Sequence, residues 1–217
     1  MSPTFFANRR QKRIAARQAQ ILDAAAVIFS RKGYERATTR EIAELADVSE
    51  GTLYNYFAGK QALLEGVAQD YAEQVAAEIA TIDAADVTDM MSQLLTRRFQ
   101  NGRERRLFMV FLYEARLNSD QHQPYIHDTL SQIITAIEDR LTALVSAGVM
   151  RPVDTAIAAR MISATVMGFA SLFEIGGQNR DDQLPGEKFR FAPEALGEEM
   201  TDIFLYGLLE QSGEAAE

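Results

Sequence analysis

The chain has 217 residues, of which 47% are hydrophobic, and its formal net charge is −9. This length suffices for one large domain or two small ones with a buried core. The absence of cysteine excludes a disulfide framework and a thiolate metal site. The first residues lack the apolar run of a signal peptide, and the longest uncharged apolar stretch, 161–173, is too short to span a bilayer. We therefore expect a cytoplasmic protein that does not contact the membrane.

The charge is divided unevenly along the chain. Residues 1–60 carry ten basic and six acidic side chains, a net charge of +4, whereas residues 61–217 carry twelve and twenty-five, a net charge of −13. A basic head can approach nucleic acid phosphates, while an acidic body cannot. The distribution therefore favours a modular nucleic-acid-binding protein despite the negative total.

The chain opens with a segment of 17 residues that we interpret as a basic N-terminal arm. Residues 1–8 are apolar and turn-prone, and we expect them to be disordered. Five basic residues without any acid follow, namely Arg9, Arg10, Lys12, Arg13 and Arg17. They could reach DNA phosphates or an adjacent minor groove, or they could be a solvated extension of the first helix. A membrane-surface helix is disfavoured because a large apolar face is missing.

Residues 18–32 have the apolar spacing of a helix, which Gly33 ends. Residues 38–60 then predict two short helices joined by a tight turn. Thr38 and Glu41 have the spacing of a capping box, and Ser49 can cap the second helix. Asp47 occupies the turn, where the backbone must leave the right-handed helical region. Four apolar side chains should form the shared core of these helices: Phe29, Ile42, Leu53 and Phe57.

The order of residues in this segment is distinctive. The run TTREIA, then VSEGTLYNYF and a following lysine, together with the earlier ILDAAAVIFSRKGY, resembles the DNA-binding domain of the TetR family of bacterial transcriptional regulators. The likeness extends over residues 20–64. It implies a helix-turn-helix, whose second helix lies in the major groove of DNA. The alternative is an ordinary helical hairpin within a bundle.

The direction of the second helix selects the candidate DNA contacts. Its N-terminal end points toward base edges and presents Glu50, Gly51 and Thr52, while Tyr54, Asn55 and Tyr56 project farther along. Glu50 could accept a hydrogen bond from cytosine or could be a first-turn carboxylate that touches nothing. The resemblance further implies a guanine contact by Arg40 and phosphate contacts by Thr39 and Lys60. The chain departs from the family pattern at Asp47, where glycine is common, and at Tyr56, where histidine is common.

The remainder of the chain predicts only helices. We expect them at residues 61–82, 86–101, 104–118, 125–147, 154–175 and 193–210, with breaks at 122–124 and 151–152 and a polar loop at 178–192. The predicted fold is therefore all-α, with about nine helices. A helix-turn-helix head occupies residues 18–64, an effector-binding and dimerisation body occupies residues 65–212, and residues 213–217 form a disordered tail.

The last two helices carry apolar surfaces interrupted by small residues. The resemblance implies that two such helices from each subunit form a twofold interface; the alternative is burial within one subunit. The expected interface residues are Gly168, Leu172, Met200, Phe204, Gly207 and Leu208.

A largely apolar effector pocket could be lined by side chains from several body helices. The candidates are Met90, Leu94, Phe108, Phe111, Leu112, Met161, Thr165 and Phe169, with Tyr113, Glu114 or Arg116 as polar groups. The same apolar spacing is also typical of plain core. His122 and His127 are poorly spaced for a shared metal ion, so we expect no metal site and no cofactor.

No motif for nucleophilic catalysis, phosphate binding or zinc hydrolysis occurs in the sequence, so we do not expect an enzyme. The resemblance implies a homodimeric repressor that a small-molecule effector releases from a palindromic operator in double-stranded DNA. The alternative is an effector-independent DNA-binding protein of nonspecific or architectural type.

Overall fold

The computed structural model describes residues 3–83, 85–117, 119–175 and 192–208, without the side chains of residues 3–8, 116–124, 175 and 206–208. Within these ranges the chain is all-α, as predicted. Nine helices follow one another: α1 Pro3–Arg36, α2 Thr39–Leu45, α3 Glu50–Tyr54, α4 Lys60–Ala80, α5 Val87–Gln100, α6 Gly102–Leu117, α7 Ser119–Ser146, α8 Thr155–Ile175 and α9 Pro193–Leu208. The predicted polar loop at 178–192 and the predicted tail at 213–217 fall almost wholly outside the described residues.

The chain forms two compact units. One comprises residues 1–71 and 106–126, and the other comprises residues 72–105 and 127–217. This division differs from the predicted boundary after residue 64, because the unit that contains the head also takes in most of α6. There Phe108 and Phe111 are buried, and the Phe111 ring packs 6.3 Å from that of Tyr71.

The core of the first unit begins with the residues that the sequence predicts. Phe29, Ile42 and Leu53 are fully buried, whereas Phe57 is only partly buried. Gly33 interrupts α1, since its φ of 75° and ψ of 169° are not helical. The regular helix therefore ends where the sequence indicates.

Two expectations about the helix ends are wrong. The backbone of α1 is already helical from Pro3, so the disorder expected for residues 1–8 does not hold for residues 3–8. α7 begins at Ser119 and continues through Pro124, where a break was predicted. A proline costs one backbone hydrogen bond in a helix, but its φ near −65° is helical. Pro124 is the sixth residue of α7, beyond the first four N–H groups that have no intrahelical partner, so the helix continues through it with one backbone hydrogen bond fewer.

The second unit has its own apolar core. Phe99, Leu141, Leu144 and Met150 are almost completely buried at its centre. α9 packs along α5, and Gly197 lies so close to this helix that a Cβ atom there would be 2.9 Å from the backbone nitrogen of Thr96. The lack of a side chain at residue 197 thus permits the close approach of the two helices.

α8 is unusually apolar and poorly buried. By length and composition, Thr155–Glu174 could cross a membrane, and 28% of its most apolar window is buried. The apolar segment is longer than expected from sequence because it extends back to residue 155. One face of α8 exposes a continuous stripe, which consists of Ile157, Met161, Ala164, Gly168 and Leu172. Contiguous exposed apolar surface of this kind marks an interaction site.

Candidate nucleic-acid interface

Local hydrogen bonds set the position of α2. The Oγ1 atom of Thr38 accepts from the backbone N–H of Glu41 at 3.3 Å, and the Glu41 carboxylate accepts from the backbone N–H of Thr38 at 3.3 Å. The predicted capping box is therefore confirmed. Lys32 also pairs with this carboxylate. Hydrogen bonds from Lys32 first, and then from Thr38, hold the pKa of Glu41 below its ordinary value.

The turn between α2 and α3 has the predicted conformation. Asp47 has a φ of 49°, in the left-handed region, and no other non-glycine residue in the described ranges has a positive φ. Beside it the N–H of Val48 donates to the carbonyl oxygen of Ala43 at 3.0 Å. Ser49 then caps α3, because its Oγ accepts from the N–H of Thr52 at 3.0 Å.

α3 presents a polar side outward and an apolar side inward. Leu53 is fully buried, while Glu50, Gly51 and Tyr54 are exposed. The helix is short, and Asn55 serves as its C-cap, so Asn55 and Tyr56 lie just beyond it. Six of the predicted contact residues therefore lie on one short segment that is accessible to a ligand.

Three of the predicted DNA contacts are hydrogen-bonded to one another. The hydroxyl of Thr39 donates to Oε1 of Glu50 at 2.7 Å, and its oxygen lies 3.2 Å from the hydroxyl of Tyr54. Glu50 is thus not a first-turn carboxylate that touches nothing, because it joins α3 to α2. Sequence analysis missed this contact, since the two residues are eleven positions apart.

Arg40 projects into solvent beside the hydroxyl cluster formed by Thr39, Glu50 and Tyr54. Its Nε donates to Oε1 of Glu44 at 3.0 Å, and both side chains are largely exposed. Exposed ion pairs contribute about 0–1 kcal/mol, so this one offers little resistance to an incoming base or phosphate.

Lys60 has a structural role that the sequence analysis missed. Its Nζ donates to the carbonyl oxygens of Tyr34 at 2.9 Å and Glu35 at 3.1 Å, and it lies 4.4 Å from the centroid of the Tyr34 ring. The ammonium group therefore caps the end of α1 and retains one hydrogen for a phosphate. One signal could have indicated this role: a lysine at the first position of a helix is disfavoured by the helix dipole and needs another partner.

The predicted effector residues are divided between the two units. Phe108 and Phe111 are buried in the first unit, where Leu112 is half-buried. Met90, Leu94 and Phe169 pack against the core of the second unit, and the half-buried Thr165 bonds back to the Met161 carbonyl. Met161 is 61% exposed, so its assignment to the lining of an interior pocket is wrong. Of the two histidines considered as metal ligands, His127 is exposed, and the side chain of His122 lies outside the described residues.

The predicted dimer residues are only partly available to a second subunit. Gly168 and Leu172 are exposed on α8. Met200 is 4% exposed because it packs into the core of its own unit, so its assignment to an interface is wrong. Phe204 is partly buried against the same core, while the surroundings of Gly207 and the side chain of Leu208 lie outside what the structure describes. The periodicity of an apolar helix does not distinguish its inward face from its outward face.

Comparison with known proteins identifies the class to which this head belongs. The sequence model of the bacterial regulatory proteins of the tetR family matches residues 21–67. An uncharacterised HTH-type transcriptional regulator of Bacillus subtilis, YvkB, is 50% identical over 48 residues. This match covers 22% of the present chain and spans a quarter of the length of that relative.

Two longer similarities extend beyond the head. The HTH-type transcriptional repressor KstR2 of Mycobacterium tuberculosis is 25% identical over 170 residues, which are 76% of this chain and 84% of that protein. The structure of the regulator FadR from Bacillus subtilis in complex with stearoyl-CoA aligns with a TM-score of 0.65 at 20% identity, and the alignment covers 87% of this chain and 98% of that one. The capped helix-turn-helix, the match at residues 21–67 and the all-α fold agree with one another, and the head of this chain is a DNA-binding domain of the TetR family of bacterial regulatory proteins.

Proposed function

We propose that the protein is a homodimeric transcriptional repressor that binds a palindromic operator in double-stranded DNA and leaves it when a small-molecule effector binds. The observation that carries this proposal is the arrangement of α3. The helix is capped by Ser49 and anchored by the buried Leu53, and it exposes Glu50, Gly51 and Tyr54 on its outer side. A short, rigidly held helix with an accessible polar side is suited to the major groove.

The contacts to DNA divide into two kinds. Arg40 is the base reader in this proposal, because a guanidinium group can bind guanine O6 and N7 together. Thr39, Thr52 and Tyr56 offer hydroxyls, and Lys60 offers its remaining ammonium hydrogen, to phosphates. The phosphate contacts determine the register of the head on the duplex, and the base contact supplies the specificity.

A second subunit accounts for the exposed face of α8. Monomeric soluble proteins rarely leave a large apolar patch in water, and the stripe of five residues on α8 would be covered by its counterpart in a partner. A twofold dimer presents two heads, which matches an operator whose half-sites repeat about one DNA turn apart.

The relatives support the proposal of effector control. KstR2 is named a transcriptional repressor, and FadR was solved with stearoyl-CoA bound. By analogy, we propose a largely apolar effector for this protein. We also propose that the protein acts in the cytoplasm. Such a molecule can weaken operator binding only through a higher affinity for the conformation that does not bind DNA, and the operator weakens effector binding by the same factor.

The proposal is tested by selection of the purified protein against random duplex DNA, followed by sequencing of the retained duplexes. We expect an enriched palindrome. A protein that retains DNA without enriching any sequence would be the nonspecific binder instead.

Arg40→Ala should relax the preference at one base pair in each half-site and cost about 1–3 kcal/mol of operator binding. The selection is repeated with this variant and, as the matched control, with Glu44→Ala, which leaves the arginine in place and removes its carboxylate partner. An unchanged preferred sequence with Arg40→Ala would show that Arg40 does not read a base.

A further inference from the structure

A basic groove lies between the N-terminal part of α1 and the segment 49–56, which contains some of the predicted DNA contacts. One wall belongs to the N-terminal part of α1 and contains Arg9, Arg10, Arg13 and Arg17. The other wall carries the hydroxyl groups of Ser49, Thr52 and Tyr56. The groove is open and has a volume of about 1120 Å³. Arginines therefore face hydroxyls across a space that a ligand can enter from solvent.

The four arginines share one face of α1. They are spaced at i, i+1, i+4 and i+8, which places them within about 100° of one another around a helix. With a rise of 1.5 Å per residue, the row is about 12 Å long. Lys12 lies on the same stretch of helix but is not among the lining residues.

Hydrogen bonds hold the arginine wall in place. The side-chain amide of Gln20 donates to the carbonyl oxygen of Ala46, at the end of α2, at 2.9 Å. The guanidinium of Arg17 donates in turn to the side-chain oxygen of Gln20 at 2.9 Å. Because α1 is an unbroken helix from Pro3 to beyond Gln20, this attachment fixes the orientation of the whole wall relative to α2.

Two of the arginines in the groove are available to an anion. Arg10 and Arg13 are exposed, and neither forms an ion pair with a carboxylate in the described part of the chain. Asp47 is the one acidic residue among those that line the groove. Guanidinium groups bind phosphate oxygens in pairs of parallel hydrogen bonds, and serine, threonine and tyrosine hydroxyls are common phosphate donors.

We propose that this groove binds one phosphodiester strand of the operator. The strand that borders the major groove would run between α3 on its inner side and the arginine face of α1 on its outer side. The inference rests on the proposed function, because it requires α3 to lie in the major groove. It adds phosphate contacts by Arg10 and Arg13 that carry no sequence information, and it makes the N-terminal helix part of the binding surface.

The test compares a double variant, Arg10→Gln with Arg13→Gln, with the wild type. Affinity is measured as a function of salt concentration, both for the selected operator and for an unrelated duplex. Each phosphate contact contributes about 0.9 to the slope of log K against log salt, so the loss of two arginines from each of the two heads of the dimer should lower the slope by about 3.6 on both duplexes. Lys12→Gln is the matched control and should leave the slope nearly unchanged.

Two results would overturn the inference. A slope equal to that of Lys12→Gln would mean that the groove does not hold phosphates. A changed preference for A·T pairs flanking the operator would mean that the arginines enter a minor groove instead. Since Arg10 and Arg13 are exposed, thermal unfolding should be unaffected. If the wild type enriches no sequence, the regulator proposal fails, yet the slope on the unrelated duplex still tests the groove.

Discussion

At the scale of single residues, Lys60 illustrates how one side chain serves both stability and binding. Two of its ammonium hydrogens are held by carbonyl oxygens at the end of α1, next to the Tyr34 ring. A phosphate would therefore meet an ammonium group that is already fixed in position. Preorganisation of this kind lowers the entropic cost of binding.

Lys60→Ala should consequently destabilise the free protein as well as weaken its binding to all DNA sequences. Hydrogen bonds to a charged group are worth about 1.5–3 kcal/mol, so we expect the free energy of unfolding to fall by about 1–3 kcal/mol. Urea unfolding without DNA measures this loss. Arg31→Ala, which removes an exposed charge from α1, is the control. Unchanged stability would contradict the capping role and leave Lys60 as a phosphate ligand alone.

The hydroxyl cluster of Thr39, Glu50 and Tyr54 is a second case in which neighbours share a function. Glu50 brings a negative charge toward DNA, which by itself opposes binding, but it also orients the Thr39 hydroxyl. The residue thus acts on DNA through the position of another side chain as well as through its own charge. The role of Glu50 could not be predicted from the residue pattern of α3 alone.

At the scale of secondary-structure elements, the capping box of α2 makes the stability of the head depend on pH. The pKa of Glu41 is depressed in the folded protein, so its contribution to stability is fully present above the ordinary value of 4.5 and is lost as pH falls through the lower folded value. Glu41→Gln removes the ion pair with Lys32 while keeping a capping group.

We expect the difference in stability between wild type and Glu41→Gln to be largest near neutral pH and to shrink below pH 4.5. Urea midpoints measured in steps from pH 7 downward test this. Glu198→Gln, at an exposed position on α9, controls for the general effect of charge. A difference that stays constant across this range would rule out the ionised carboxylate as its source.

The packing of α9 on α5 depends on Gly197. Alanine at this position would place a methyl group against the backbone of Thr96, and overpacking of this kind costs about 1–3 kcal/mol. Glu198→Ala, at an exposed position of the same helix, is the matched control. In thermal unfolding we expect Gly197→Ala to melt lower and Glu198→Ala to melt near the wild-type temperature, since alanine favours a helix. Equal melting temperatures would contradict the close approach.

At the scale of the whole molecule, the exposed stripe on α8 makes a definite prediction about assembly. Met161→Arg places a charge within the stripe and should convert the proposed dimer to a monomer, because an unpaired charge is costly to bury. Sedimentation equilibrium measures the change, with Thr135→Arg on the exposed side of α7 as the control. A variant that remains dimeric would place the interface elsewhere.

Loss of the dimer should also change DNA recognition. A monomer has one head and can occupy one half-site, so its preference for the complete palindrome over a single half-site should disappear. The contacts of each head with bases would remain. The Met161→Arg variant therefore separates assembly from base reading, which Arg40→Ala changes instead.

Much of the local structure of this protein is determined by interactions between residues close in sequence. The caps at Thr38 and Ser49, the left-handed Asp47 and the end of α1 at Gly33 each depend on atoms within about four residues, and a linear pattern contains those atoms. For the same reason the all-α fold and the helix-turn-helix could be predicted from the sequence. The start of α7 is an exception, because the helix continues through Pro124 although a proline there removes one backbone hydrogen bond.

Tertiary structure decided which partner each of these side chains has. The contact of Thr39 with Glu50 spans eleven positions, and that of Lys60 with Tyr34 spans twenty-six. Burial also depends on residues distant in sequence. Met161 and Met200 are the same residue type and lie in helices with similar apolar periodicity, yet the first is exposed and the second is in the core. The physical reason is that hydrophobic burial and side-chain hydrogen bonds depend on distance in space, which a sequence specifies only through the complete fold.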